Sequence, residues 1–338
     1  MGILPILLCS ALLMFDDDRV GSSRQGSLLV CPPVSTEIHD DVSLLLVHDH
    51  PSDVAIRILV RASAGRYERL ETLSGDTARQ FDLLDLLAPL GASQGHIFIL
   101  VCDLEGQPIA HNQISASVRL QSASDVTELP VAVFRALSGS TGEVLPTPEH
   151  VSLDGVEYGL PGNRHVLDFF AVGAMPVMGL PVDTKLGVVP LDLDFSDRNT
   201  VRTATQLRFE IWNENEVKFS GTSHCFDGMG WVGLEDLNGS TNHFRRLFLG
   251  TDSGKARLDT FANTSCAANV TAPALVAWVF SDFGSGQQSG RMLRATGRQS
   301  AALHIPVSSA PEESGATVDI SNSNVDGLQK ITVPIPNR

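Results

Sequence analysis

Nothing constrains this chain more than its succession of short apolar segments divided by turn sequences. Val42–Val47, Val54–Val60, Phe81–Leu87, Ile97–Cys102 and Ile114–Leu120 are the clearest members of a first series. Ser74-Gly75-Asp76 and Glu105-Gly106-Gln107-Pro108 stand between such runs. These are turn sequences, because Gly admits left-handed backbone and Pro presets φ. Val54–Val60 alternates imperfectly, but it is short and β-branched, which favours strand over helix. Asp82-Leu-Leu-Asp-Leu-Leu also reads as one helical turn with its acidic residues outside. No long stretch carries a 3.6-residue apolar period, so the expected class is all-β.

A second series runs through Val131–Leu137, Val151–Tyr158, His165–Val172, Val188–Phe195, Leu207–Trp212, Glu216–Gly221, Phe244–Leu249, Ala256–Phe261, Leu275–Phe280 and Ala301–Ile305. The polar stretch Gln121–Glu128 divides the two. The expected architecture is two consecutive β-sandwiches, an immunoglobulin-like one over 28–122 and a larger, jelly-roll-like one over 123–307. Residues 1–27 read as a signal segment and flexible lead-in. Residues 308–338 read as a tail adding at most one edge strand, since Pro334 and Pro336 bar a central position.

Lys plus Arg number 24 against 39 Asp plus Glu, a formal charge of −15. That balance excludes a nucleic-acid backbone as the main partner. The apolar run Ile3–Phe15 is too short for a comfortable membrane span of about 20 residues, so no transmembrane span is expected. It fits the hydrophobic region of an export signal, although no Lys or Arg precedes it and no clean small-x-small cleavage site follows. The expected location is therefore extracellular, periplasmic or cell-surface. With Cys9 in that segment, Cys31, Cys102, Cys225 and Cys266 remain, two in each half. In an oxidising compartment the natural pairing is Cys31–Cys102 and Cys225–Cys266, although four cysteines allow three connectivities. A bond closing a loop of about 40 residues contributes on the order of 3–4 kcal/mol in the chain-entropy account.

Chemistry-bearing motifs are sparse. Gly250-Thr-Asp-Ser-Gly254-Lys255-Ala256 lacks both the spacing and the Mg²⁺-binding hydroxyl of a phosphate-binding loop. Gly221-Thr-Ser223-His224-Cys225 lacks the second Gly of a nucleophile elbow. His48-Asp49-His50 puts two imidazoles on one face of a strand, as a metal pair needs. It ends at Pro51 and reads first as a polar strand end entering a turn; His39, Asp40 and Asp41 lie nearby in sequence but offer no ligand spacing. Asp192, Asp194 and Asp197 are candidate calcium ligands, without the Gly and distal Glu of an EF-hand loop. Trp212, Glu214, Glu216 and Trp231, within the acidic stretch to Asp236, are candidates for a carbohydrate site or a glycoside-acting carboxylate pair. Trp278, inside the all-apolar Leu275–Phe280, reads as a buried strand residue.

The segment Gly95-His-Ile-Phe-Ile-Leu-Val-Cys-Asp-Leu-Glu-Gly-Gln-Pro-Ile-Ala-His-Asn-Gln-Ile resembles the closing hairpin of the first domain in uncharacterised exported bacterial proteins built from tandem β-sandwiches. Phe209-Glu-Ile-Trp-Asn-Glu-Asn-Glu-Val-Lys-Phe-Ser-Gly, with Cys225-Phe and Gly254-Lys-Ala-Arg-Leu-Asp259, resembles their second domain. The resemblance spans 28–307. It implies an exported sandwich pair, supports pairing Cys225 with Cys266, and carries no activity. The expected function is structural or adhesive, through a protein partner or self-association at the envelope. A carbohydrate-binding or glycoside-acting protein and a calcium-stabilised surface module are the alternatives. The first needs an exposed Trp beside paired carboxylates, and the second a melting temperature that falls on chelation.

Overall fold

The computed structural model describes residues 25–121, 125–137, 150–153, 155–159, 164–170, 183–191, 205–213, 216, 222–226, 231–233, 253–260, 275–282, 288–293 and 295–297. In the first half, β1 (Leu28–Val30), β2 (Val34–Ser35), β3 (Asp41–His48), β4 (Val54–Ala62), β5 (Gly65–Leu73) and β6 (Thr77–Asp82) lead into a short helix, α1 (Leu83–Leu87). Then come β7 (Gln94–Cys102), β8 (Ile114–Gln121), β9 (Val126–Pro130) and β10 (Ala132–Phe134). The second half holds β11 (His150–Leu153), β12 (Val156–Gly159), β13 (Arg164–Phe170), β14 (Asp183–Pro190), β15 (Thr205–Asn213) and β16 (Thr222–Phe226). It continues with β17 (Trp231–Gly233), β18 (Ser253–Thr260), β19 (Leu275–Asp282), β20 (Gln288–Met292) and β21 (Ala295–Gly297). The fold is all-β. Asp82 explains why its segment holds both a strand end and a helical turn: its carboxylate caps α1, accepting from the N–H groups of Leu84 at 2.9 Å and Asp85 at 3.3 Å.

One sheet has the order β10-β1-β7-β4-β5, with β2 also on β7; a second has the order β6-β3-β8-β9. Residue parity shows how they stack, since alternate side chains leave opposite faces of a strand. Val54, Ile56, Ile58 and Val60 of β4 and Ile97, Ile99 and Val101 of β7 meet Val42, Leu44 and Leu46 of β3 and Val118 and Leu120 of β8 in one core. The opposite parity of the same strands, Leu59, Phe98 and Leu100, joins Phe134, Tyr158, Val189, Leu191, Val276 and Trp278 in a second core. A sheet covered on both faces needs nearly continuous apolar strands. This is the reason Val54–Val60 alternates poorly.

The second half forms the sheets β16-β15-β18-β13-β21 and β17-β14-β19-β20 and the hairpin β11-β12. All recorded strand pairs among the described residues are antiparallel. Val126–Phe134 pairs not with the second series but with β8 and β1. Across the polar junction, the Trp278 indole donates to the Pro130 carbonyl at 2.8 Å and the Trp231 indole to the Pro33 carbonyl at 2.7 Å. The backbone N–H of Gln288 donates to Asp125 Oδ2 at 2.8 Å. Among the described residues, no helix is long and apolar enough to cross a membrane.

Candidate functional site

The densest constellation of potential ligand atoms among the described residues lies at the end of β3. His48 follows the inward parity of Val42, Leu44 and Leu46 and is 1% exposed, so it is not the solvated strand end its sequence suggests. His50 lies just past the strand, half-buried. His111 comes from the β7–β8 connection, brought close because β8 begins opposite His48 and the Asp49 N–H donates to the Gln113 carbonyl at 3.2 Å. One nitrogen from each ring can be chosen so that all three lie within 4.8 Å of one another. The Nε2 atoms of His48 and His111 are 2.9 Å apart. The His111 ring stands edge-on to those of His48 and His50, at centroid separations of 5.1 and 5.0 Å.

Two of the three rings are held from behind. His48 Nδ1 lies 3.2 Å from the Ser74 carbonyl in the β5–β6 turn, and His50 Nδ1 lies 2.6 Å from Ser52 Oγ and 3.2 Å from the Ser52 N–H. The turn is clamped onto the same segment. The Asp76 N–H donates to the His50 carbonyl at 2.9 Å, the Gly75 N–H to Asp53 Oδ1 at 3.0 Å, and a Cβ at Gly75 would collide with the Pro51 carbonyl. Burial lowers the basicity of His111, and His48 and His50 add to that effect. Neutral imidazole is the form that ligates first-row transition metals.

His-x-His is visible in the sequence, but the third imidazole is not, because His111 is joined to the pair only through strand pairing. His39, the nearer histidine in sequence, is carried into the core, with its ring centroid 5.2 Å from Phe280 and 6.5 Å from Trp231.

The expected Cys31–Cys102 bond is not formed, and the register gives the reason. Cys31 donates its N–H to the Ile97 carbonyl, five positions along β7 from Cys102, on the order of 16 Å of strand. The two side chains also enter different cores on opposite faces of the sheet, and a disulfide needs Cα atoms within about 7 Å. Cys225 lies on β16 opposite Gln206, while Cys266 is outside the described residues. Asp192, Asp194, Asp197 and Glu214 are likewise outside them. Trp212 sits on β15 opposite Lys255 of β18, and Glu216 is exposed with a left-handed φ of 58°. Trp231 is half-buried, its ring 5.8 Å from that of Phe280 and its N–H directed to Pro33. That ring is engaged in packing the two halves of the chain together.

The outer face of β3 is the other notable surface. Leu45 and Val47 are 43% and 37% exposed. Their register partners on β6 and β8 are Gln80 and Ser117 for Leu45, and Ala78 and Ser115 for Val47. Three of those four side chains are too small to cover the aliphatic groups.

No family model matches the chain, and no curated protein matches it. Among solved structures, the chain is similar to the PBSX exported protein XepA, with 9% identity and a TM-score of 0.20, over 71% of this chain and 84% of that one. A likeness that low carries no argument about fold or function.

Proposed function

We propose that this chain is an exported β-protein that acts by associating with protein at the cell envelope, through a partner or a second copy of itself, and not by catalysis. The observation that carries the reading is the pair Leu45 and Val47 on the outer face of β3, exposed aliphatic groups amid small neighbours on a fully paired strand. Aliphatic groups exposed on a sheet face offer surface that another protein can bury. The apolar segment Ile3–Phe15 supports export. The architecture we assign is two consecutive sandwiches, the first immunoglobulin-like and the second larger. The carbohydrate reading is weakened by the packed position of Trp231.

The test is fractionation of cells expressing the full chain, with sedimentation equilibrium of the purified protein and cross-linking in intact cells. Extracytoplasmic recovery, with self-association or a cross-linked partner that L45K/V47K abolishes while the far-UV spectrum is unchanged, is the expected result. A cytoplasmic protein that stays monomeric and uncross-linked overturns it.

A further inference from the structure

We propose that His48, His50 and His111 form a binding site for one divalent transition-metal ion of the zinc class, where the end of β3 meets the β5–β6 turn and the β7–β8 connection. This inference goes beyond the association reading and does not depend on it.

Proton placement is the first argument. A carbonyl oxygen only accepts, so the contact between the Ser74 carbonyl and His48 Nδ1 places that ring's proton on Nδ1. The Nε2 lone pair of His48 then points at His111 Nε2, 2.9 Å away. Two bare lone pairs repel at that distance, so either a proton on His111 or a cation must lie between them. Nδ1–H donating to a backbone carbonyl is also the outer-shell contact that fixes ligating histidines in their tautomer. At His50 the Ser52 N–H donates to Nδ1, which puts the proton of the neutral ring on Nε2. To ligate through Nε2, His50 must carry its proton on Nδ1 instead and donate it to Ser52 Oγ, 2.6 Å away.

Distance is the second argument. Two imidazole nitrogens bound tetrahedrally to zinc at about 2.0–2.1 Å lie roughly 3.3 Å from each other. The His48–His111 separation is within half an ångström of that value. With all three ligand atoms within 4.8 Å, His50 closes the remaining gap by a modest ring rotation, which its half-buried position permits.

Preorganisation and ligand chemistry complete the case. The Gly75–Asp76 turn is locked to His50–Pro51 by a backbone hydrogen bond and a close approach that only glycine allows. Three imidazoles without a carboxylate select zinc, nickel, copper(II) or cobalt(II) over calcium and magnesium, which require oxygen donors. Three protein ligands on a partly exposed site leave a fourth position for water or an outside donor.

The experiment uses the full chain without an affinity tag, stripped with EDTA and desalted. Zinc titrated by calorimetry should bind at one ion per chain and raise the melting temperature, and cobalt(II) should give a visible d–d absorption band. Calcium and magnesium should do neither. His50→Ala and His111→Ala should each weaken zinc binding by more than about tenfold, and the double variant should abolish the cobalt band. His48 is left intact because its burial makes misfolding the expected result of truncation there. An unchanged zinc isotherm in the folded double variant assigns the ion to other histidines among the ten in the chain and overturns the proposal. A folded wild-type chain that zinc neither binds nor stabilises overturns it equally, leaving only a proton-bridged histidine pair.

Discussion

His96 and His39 show what burial does to a single ionisable side chain. His96 is enclosed on β7 opposite Arg61, and its Nε2 has no hydrogen-bond partner among the described residues. Burial, reinforced by Arg61, lowers its pKa to about 3, and burial with Lys185 lowers that of His39 to about 4. Both rings are neutral in the folded chain, while an unfolded histidine takes up a proton near pH 6.5. The unfolded state therefore binds more protons below that pH. Stability is full above pH 6.5 and falls as pH drops towards 4 and then 3. His96 alone should cost about 2 kcal/mol at pH 5 relative to neutral pH. Urea midpoints at pH 7 and 5 measure this, and His96→Leu should flatten the difference; an unaltered difference would show that His96 carries no share. Cys31 is enclosed in the same way, and burial pushes its thiol up to about 12. It should react with a thiol reagent only on unfolding, and non-reducing mass spectrometry should find no bond between Cys31 and Cys102. Neither result is readable from the sequence. Cysteine count suggests a pairing, but which face of a strand each thiol enters follows from register.

At the scale of elements, β3 was open to sequence reasoning and its consequences were not. Leu44–Val47 is apolar at every position, so the sequence does not say which parity faces inward; the structure puts Val42, Leu44 and Leu46 inside, and His48 with them. What the chain does not spell out is the partner, because the β7–β8 connection places His111 63 residues and several turns beyond His48. Similarly, Asp82-Leu-Leu-Asp reads equally as strand or helix until the end of β6 places Asp82 as a cap. Asp82→Ala should cost about 1 kcal/mol through loss of that cap. Leu44→Ala, in the centre of the core between the two sheets, should cost about 2–5 kcal/mol. Chemical denaturation of both variants checks the ranking, and equal losses would mean the core packs more loosely around β3 than its burial indicates. Gly75→Ala should displace the Pro51 carbonyl and with it the backbone at His50; a melting temperature unchanged from wild type would show that the turn yields instead.

At the scale of the molecule, the polar stretch that divides the sequence does not divide the packing. Hydropathy marks Gln121–Glu128 as a junction, yet β9, which begins within it, and β10 beyond it pair with β8 and β1, and Trp278 donates to Pro130 at the end of β9. Composition cannot reveal this, since a sheet apolar on both faces differs from a one-sided sheet only in how consistently its strands alternate. Trp278→Phe keeps most of the ring and leaves the Pro130 carbonyl without that donor, so a loss of about 1–2 kcal/mol is expected; a smaller loss in thermal melts would mean water takes over the bond. The doubly covered central sheet also bears on how the polypeptide can be cut or made. Residues 1–137 released by a protease, or stalled on the way to completion, would turn Leu59, Phe98, Leu100 and Phe134 outward to water as a slick of hydrocarbon. Such a fragment should clump or recruit a chaperone, so the protein must be finished before it is safe.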